Sequence, residues 1–177
     1  FRFYGTAVAP GFPVSLSEPA EWGVANLDGD TLQELYLTTA DTLYRADTSG
    51  VTAIAAVDTG MMPSKLQPRD LDGDSLDELL LDGTRVGLVE TVDGATVVRL
   101  GPTGPGEKHL YPARSVEGTP RLLEVTRNNA DIFVSLLTLN FESLGAPFVM
   151  SGSHANPVPC NLDSFPTTRF VFVKDSV

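Results

Sequence analysis

The chain has little cysteine and histidine, and it has no long apolar run. Among its 177 residues the only cysteine is Cys160, which excludes an intrachain disulfide. A lone cysteine is typically a small buried apolar residue, and the alternative is a thiol that pairs with another chain. The histidines, His109 and His154, fit no nucleophile or zinc motif, so each is expected to be a surface or packing residue. The longest apolar stretch, near residues 132–139, is far shorter than the ~20 residues of a transmembrane helix, so no membrane insertion is expected.

Positive charge is also scarce. Twelve Lys and Arg residues face 23 Asp and Glu residues, which gives a net charge of −11. Such a surface repels phosphate backbones and anionic lipids, so neither nucleic acid nor an anionic membrane surface is an expected partner. Glycine and proline are abundant, at 16 and 13 residues, and Val, Thr, Leu and Phe recur in short runs without helical periodicity. The sequence therefore predicts an all-β fold, with residues 1–177 as one domain or part of one.

A repeat runs through the chain. Four turns rich in acidic or amide residues begin at positions 26, 70, 115 and 161, in steps of 44, 45 and 46 residues, and an apolar segment follows each. The predicted strands are 34–38, 42–45 and 51–57 in the first unit, 78–81, 85–91 and 95–100 in the second, and 132–139 and 148–150 in the third. Units of ~40–50 residues with about four short antiparallel strands are typical of β-propeller blades. A β-sandwich with accidental regularity is the alternative.

The number of blades stays open. Three units are complete, and residues 1–17 and 157–177 are remnants of a further unit. The remnants either form one shared terminal blade that closes a four-bladed ring, or the chain is a fragment of a larger propeller. Four-bladed rings lie at the lower limit of the usual range, which favours the fragment. The chain begins with Phe1 rather than Met, which also indicates a processed, trimmed or partial chain.

The first two turns carry oxygen-bearing side chains at positions one, three, five and nine. We call residues 26–34 loop 1 and residues 70–78 loop 2. The side chains are Asn26, Asp28, Asp30 and Glu34 in loop 1, and Asp70, Asp72, Asp74 and Glu78 in loop 2. Alternate positions of a tight turn point to one centre, and Ca²⁺ takes six to eight oxygen ligands at ~2.3–2.6 Å. The backbone carbonyls of Leu32 and Leu76, at position seven, are predicted as further ligands. The pattern predicts two calcium sites; solvated acidic turns without a cation are the alternative.

The remaining acidic residues are not predicted to bind metal tightly. The turn at 115–119 keeps only Glu117, and the turn at 161–165 has Arg169 near the closing position. Hydrogen bonds and apolar contacts are expected to hold these two turns. Asp77, which lies beside the last ligand of loop 2, is predicted to be an exposed charge.

The sequence DLDGDSLDEL of residues 70–79 resembles the FG-GAP/VCBS repeat family, which includes integrin α-subunit propellers and many secreted bacterial proteins. Residues 26–35 are a near copy of the same motif. The chain departs from the family pattern by glutamate at the closing position and by Asn26 at the first position of loop 1, although both keep an oxygen donor. The resemblance implies a calcium-binding β-propeller whose metal sites are structural. It also implies an extracellular or cell-surface location, with the periplasm as the alternative, and it names no ligand.

The leading functional hypothesis is a non-catalytic extracellular module for adhesion, protein–protein interaction or assembly. Its partners would be a protein or glycan at a cell surface or matrix, or further blades and chains. A carbohydrate-binding, lectin-like propeller is one alternative, because Trp22 and Tyr36 could stack on sugars, although packing in the core is expected for both. The other alternative is an accessory domain of a larger secreted enzyme. A glycosidase-like carboxylate pair stays open, but the best carboxylates are already assigned to metal.

Overall fold

A computed structural model describes residues 20–30, 32–47, 50–57 and 65–151, together with the backbone of two short strands at 158–160 and 169–171. The expectations for residues 1–17, for His154, for the side chain of Cys160 and for the turn at 161–165 lie outside this part of the chain. Every regular element in the described part is a β-strand. A search of the same residues found no helix that is long and apolar enough to span a bilayer.

The strands form three four-stranded antiparallel sheets, each in the order of the sequence. Sheet 1 contains β1 (Glu21–Ala25), β2 (Glu34–Thr38), β3 (Thr42–Asp47) and β4 (Gly50–Ala56). Sheet 2 contains β5 (Leu66–Arg69), β6 (Glu78–Leu81), β7 (Gly87–Val92) and β8 (Ala95–Leu100). Sheet 3 contains β9 (Glu107–Arg114), β10 (Pro120–Asn128), β11 (Asp131–Leu137) and β12 (Phe148–Ser151). A further pair joins β13 (Val158–Cys160) to β14 (Arg169–Val171). The all-β prediction is confirmed, and the closed propeller ring stays a prediction.

The strand bounds agree with the sequence prediction at 34–38, 78–81 and 95–100. The prediction 132–139 extends too far, because β11 ends at Leu137 and Thr138 begins a turn. In that turn the Thr138 N–H donates to the carbonyl of Glu142 at 2.9 Å, and Phe141 donates to the carbonyl of Thr138 at 3.0 Å. The predicted strand 85–91 starts too early, because Arg85 lies before β7 and its Nε donates to the carbonyl of Gly101 at 2.7 Å.

Sheet 2 is the middle layer of the stack. One core joins sheet 1 to sheet 2, and its members are Ala25, Leu27, Tyr36, Leu43, Val57, Leu66, Leu79, Leu81 and Val89. A second core joins the other face of sheet 2 to sheet 3, and its members are Leu71, Leu80, Val86, Leu88, Leu110, Leu122 and Leu137. Successive side chains of a strand point to opposite faces, so Leu79 and Leu81 enter the first core and Leu80 enters the second. This position explains why all four residues of β6 are buried.

The outer faces of the two end sheets are also apolar. On sheet 3, Leu123, Val125 and Ile132 form a third cluster on the face away from sheet 2. Phe148, in β12 of the same sheet, is 63% exposed. On sheet 1, strand alternation places Trp22 on the face away from sheet 2, and its side chain is 61% exposed. Core packing was the wrong expectation for Trp22.

Tyr36, in contrast, is 2% exposed and belongs to the core between sheets 1 and 2. The expectation of core packing is confirmed for this residue. A buried ring cannot stack on a sugar, which removes Tyr36 from the candidate glycan contacts.

Loops 1 and 2 occupy the same place in consecutive sheets. Each joins the first strand of its sheet to the second, as the shorter turn at 115–119 does in sheet 3. The second residue of each loop, Leu27 or Leu71, is 2% or 4% exposed and anchors the loop in a core. The sheets therefore hold both acidic loops at equivalent corners.

Candidate metal centres

The two loops share one backbone frame. In each, the first side chain accepts a hydrogen bond from the N–H of the glycine at position four, at 2.9 Å in loop 1 and 2.7 Å in loop 2. The carboxylate at position three accepts the N–H of position five at 3.3 and 3.1 Å. The carboxylate at position five accepts the N–H of position seven at 2.6 and 2.8 Å. These local bonds curl each loop around its side-chain oxygens.

Glycine is required at position four of both loops. Gly29 has a φ of 77° and Gly73 a φ of 92°, in the left-handed region that side chains with a Cβ rarely adopt. A Cβ at Gly29 would also lie 2.9 Å from Cδ2 of Leu76 in loop 2, whereas a Cβ at Gly73 would have no atom within 4 Å. Loop 1 is therefore the more tightly packed of the two.

Three carboxylates converge in each loop. One oxygen from each member of a group lies within 4.8 Å of the others, and the groups are Asp28, Asp30 and Glu34, and Asp70, Asp72 and Glu78. Two oxygens on opposite sides of one calcium ion would be about 4.6–5.2 Å apart, given its usual bond lengths. The donor type and the spacing both fit one calcium ion in each loop.

The other predicted ligands lie in the same loops but make hydrogen bonds there. Asn26 accepts from Gly29 and donates through Nδ2 to the carbonyl of Asp30 at 2.7 Å. The Asp74 carboxylate accepts the N–H of Leu76, and it is not a member of the loop 2 carboxylate group. Asn26, Asp74 and the carbonyls of Leu32 and Leu76 stay predicted ligands.

The closing carboxylate of loop 2 is buried without a cationic partner among the described ion pairs. Glu78 is 5% exposed, and its Oε2 accepts the N–H of Leu71 at 2.6 Å. Burial raises the pKa of Glu78 to about 7, and the negative charges of Asp72, Asp74 and Asp70 add to this increase. A bound cation would favour the ionised form of this group.

The closing carboxylate of loop 1 has such a partner. Glu34 is 6% exposed, and the Arg45 Nη2 lies 4.0 Å from its Oε1. The Arg45 Nη1 lies 3.1 Å from Oδ2 of Asp28, which belongs to the same carboxylate group. Burial, with help from Asp28, raises the pKa of Glu34, and the positive charge of Arg45 opposes that increase. The Tyr36 hydroxyl adds a long hydrogen bond to Glu34, at 3.4 Å.

A single cross-strand pair produces this difference. In sheet 1, Tyr36 on β2 lies opposite Arg45 on β3. In sheet 2, the pair at the corresponding place is Leu80 and Leu88, both fully buried in the second core. The residues under each loop, rather than the loop residues, therefore decide whether its carboxylates meet a positive charge.

Asp77 joins the two loops and is not the exposed charge that was predicted. Its carboxylate Oδ2 accepts the N–H of Asn26 at 2.9 Å. Its own N–H donates to the carbonyl of Asn26 at 2.8 Å. The Asp77 side chain is half-buried, and this reciprocal pair ties the last turn of loop 2 to the first residue of loop 1.

The turn at 115–119 is closed by hydrogen bonds, as predicted, but the expected apolar contact is not made by Val116, which is 71% exposed. The N–H of Ser115 donates to the carbonyl of Thr119, and the N–H of Gly118 donates to the carbonyl of Ser115, both at 2.9 Å. Arg114 donates through Nη2 to the carbonyl of Leu71 in loop 2 at 3.0 Å. Sheet 3 thus supports loop 2 through a guanidinium, and the described ion pairs include none between Arg114 and a carboxylate of that loop.

His109 bridges two sheets. Its Nδ1 lies 3.1 Å from Oδ2 of Asp82, which follows β6, and its Nε2 lies 3.6 Å from Oε1 of Glu107. The hydrogen bond to Asp82 is the main cause of a raised pKa of His109. Asp82 is 1% exposed and also accepts the N–H of Leu110 at 2.9 Å, so this cluster fastens sheet 2 to sheet 3. The packing role expected for His109 agrees with these contacts.

Comparisons with known proteins add no family to these observations. The chain matches no protein-family model, and no curated protein or solved structure is significantly similar to it. The resemblance to FG-GAP/VCBS repeats therefore rests on the loop motifs of this sequence, and it stays a hypothesis.

Proposed function

We propose that this chain is a non-catalytic, calcium-stabilised β-propeller module that serves adhesion, protein–protein interaction or assembly outside the cell. The observation that carries the proposal is the pair of matched carboxylate groups in loops 1 and 2. Each group combines two loop side chains with a glutamate that begins the second strand of its sheet. A cation held by such a group would tie the loop to the strand and reduce the repulsion between its carboxylates.

The propeller part of the proposal is supported by the stack of sheets. Each sheet is a four-stranded antiparallel meander of the kind that forms a propeller blade. The faces of sheets 1 and 3 that point away from sheet 2 expose large apolar side chains, such as Trp22 and Phe148. Packing of another sheet on these faces would remove this apolar surface from water. We infer that further blades, from this chain or from another one, are the first partners of this module.

A carbohydrate-binding propeller is the second candidate, because Trp22 is exposed. Its ring lies on the outer face of sheet 1, beside the partly exposed Val24. Aromatic rings are suitable platforms for sugars, but the apolar neighbourhood favours another sheet as the occupant. Binding to a glycan array that is lost in Trp22→Ala would favour the lectin. The third candidate, an accessory domain of a secreted enzyme, is compatible with either binding role.

The calcium proposal is tested by thermal unfolding of the chelator-treated chain with and without calcium. Extracellular sites bind calcium with dissociation constants of ~10⁻⁴–10⁻³ M. At ten times the dissociation constant, each site stabilises the fold by about 1.4 kcal/mol. We expect millimolar calcium to raise the melting temperature, and Asp30→Ala and Asp72→Ala each to remove part of the increase.

A matched control is Asp93→Asn, which removes a carboxylate from the β7–β8 turn, outside both loops. Asparagine tolerates the positive φ of 51° at this position. The control should keep the full response to calcium. An unchanged melting temperature of the wild-type chain in millimolar calcium would overturn the proposal.

A further inference from the structure

We propose that Arg45 is a built-in counter-cation of loop 1, which calcium has to displace, so that loop 1 binds calcium more weakly than loop 2. The inference rests on the proposed calcium function and adds a regulator to one of the two sites. When calcium is scarce, loop 1 empties first and the guanidinium of Arg45 neutralises its carboxylates. Loop 2 has no such substitute and depends on the metal itself.

The first support is the position of the guanidinium. Arg45 belongs to β3 and not to the loop, yet Nη1 lies 3.1 Å from Asp28 and Nη2 lies 4.0 Å from Glu34. Both partners belong to the carboxylate group of loop 1. The group therefore already attracts a positive charge from outside the loop. A calcium ion bound to the same oxygens would compete with Arg45 for Asp28.

The second support is the way the fold holds Arg45 in place. The antiparallel register sets Arg45 opposite Tyr36, and Glu34 lies two residues before Tyr36 on the same face of β2. A third carboxylate, Asp47, has its Oδ2 3.7 Å from Nε of Arg45. The side chain of Arg45 is only one-third exposed. Sheet register and neighbouring charges thus keep the guanidinium beside the loop.

The third support is the contrast with sheet 2. Leu88 takes the place of Arg45 there, and it is fully buried. In the part of the chain that the structure describes, no ion pair joins Asp70, Asp72 or Glu78 to a lysine or arginine. The two loops thus have similar ligand patterns, but a guanidinium pairs with the carboxylates of loop 1 alone among the described ion pairs.

The expected size of the effect follows from electrostatics. A doubly charged ion and a guanidinium about 6 Å apart in a water-like dielectric repel each other enough to weaken binding about tenfold. Loss of the contact between Arg45 and Asp28 acts in the same direction. Removal of the guanidinium should therefore raise the calcium affinity of loop 1 about tenfold.

The test is calorimetric titration of calcium into the chelator-treated chain of residues 1–177 in which one loop is disabled. In the Asp72→Ala variant the measured calcium affinity is that of loop 1, and in the Asp30→Ala variant it is that of loop 2. Adding Arg45→Leu should raise the affinity about tenfold in the Asp72→Ala background and by less than twofold in the Asp30→Ala background. Arg45→Lys keeps the charge, so it should keep most of the weak binding. The matched control is Arg99→Leu, since Arg99 is equally exposed and pairs with Glu90 on sheet 2.

A second measurement is the melting temperature in the presence of a chelator. Arg45→Leu should lower the melting temperature without metal and enlarge the increase that calcium produces, because the carboxylates lose their substitute cation. If loop 2 binds calcium but Arg45→Leu leaves the affinity of loop 1 unchanged, the inference fails and the calcium function stands. If the wild-type chain binds no calcium at either loop, both fail. Should Arg45→Leu not fold, Arg45→Gln provides the same comparison with a polar side chain.

Discussion

Loops 1 and 2 have almost the same sequence and hydrogen bonds, but they neutralise their carboxylates differently. Glu34 shares its surroundings with the guanidinium of Arg45. Glu78 is equally buried, and its pKa is raised to about 7. The proposed calcium motif therefore does not by itself determine which charges surround its carboxylates. The strand pair under the loop determines whether a guanidinium lies beside them.

The exposure of the two positions fits the difference, although both lie on a face between two sheets. Leu88 lies between sheets 2 and 3 with no exposed surface. A guanidinium at this position would lose its hydration, and this is costly unless a carboxylate pairs with it. Arg45 is one-third exposed, so its charge keeps contact with water while it reaches the carboxylates. The fully buried position in sheet 2 thus suits an apolar pair, and the partly exposed position in sheet 1 suits a charged residue.

The largest effect that would sharpen this comparison is expected from Glu78→Gln in the absence of calcium. The pKa of Glu78 is raised from 4.5 to about 7 in the folded state, so the protonated form stabilises the fold. This contribution is complete below about pH 4.5 and is lost as the pH rises through about 7. The free energy of unfolding should fall by on the order of 3 kcal/mol over this range. Urea unfolding in chelator between pH 5 and 8 measures it. Glu78→Gln should remove this pH dependence.

The matched variant is Glu34→Gln in loop 1. Burial raises the pKa of Glu34 too, but Arg45 opposes the increase, so this variant should change the pH dependence less. Equal changes in the two variants would contradict the difference between the loops.

A smaller effect is expected where the loops are joined. Asp77→Ala removes the acceptor of the Asn26 N–H and should destabilise the fold by about 2 kcal/mol, as for a charge-assisted hydrogen bond. The matched control is Gln33→Ala, at the corresponding position of loop 1, where the side chain is exposed and a change within about 0.5 kcal/mol is expected. Equal losses in the two variants, measured by chemical denaturation, would show that the link between the loops contributes nothing.

The smallest expected loss of stability compares how tightly the two loops are packed at their glycines. Gly29→Ala and Gly73→Ala each force alanine into a left-handed backbone, at a cost of about 1–2 kcal/mol. Gly29→Ala should cost up to about 1 kcal/mol more, because its Cβ meets the end of the Leu76 side chain. The double variant Gly29→Ala/Leu76→Ala should remove this extra cost. Thermal unfolding in chelator compares the three, and a larger loss at Gly73 would reverse the assignment of the tighter loop.

Much of the local structure could be predicted from the sequence. The apolar runs at 34–38 and 78–81 become β2 and β6 with the expected bounds, because short apolar segments between turn residues strongly favour strands. The convergence of Asp28, Asp30 and Glu34 also follows from their spacing in a tight turn. These features depend on neighbours within about ten residues.

The features that could not be predicted depend on distant partners. Asp77 bonds to a residue 51 positions away, and Arg45 reaches Asp28 only through the pairing of β2 with β3. In sheet 3, Leu122 faces the preceding sheet as Leu79 does in sheet 2, a step of 43 residues, whereas the turns before these strands begin 45 residues apart. A period in the sequence cannot locate such a shift, because the turn at 115–119 is shorter than loop 2.

The burial of β6 on both faces has a consequence for the partly unfolded chain. Separation of sheet 1 would uncover Leu79 and Leu81, and separation of sheet 3 would uncover Leu80, so either step exposes apolar surface that favours intermolecular association. The amides of these residues should accordingly be among the slowest to exchange with solvent, since they open only with the stack. Loop 2 ends at the first residue of this strand, so a cation bound there would also guard the chain against aggregation.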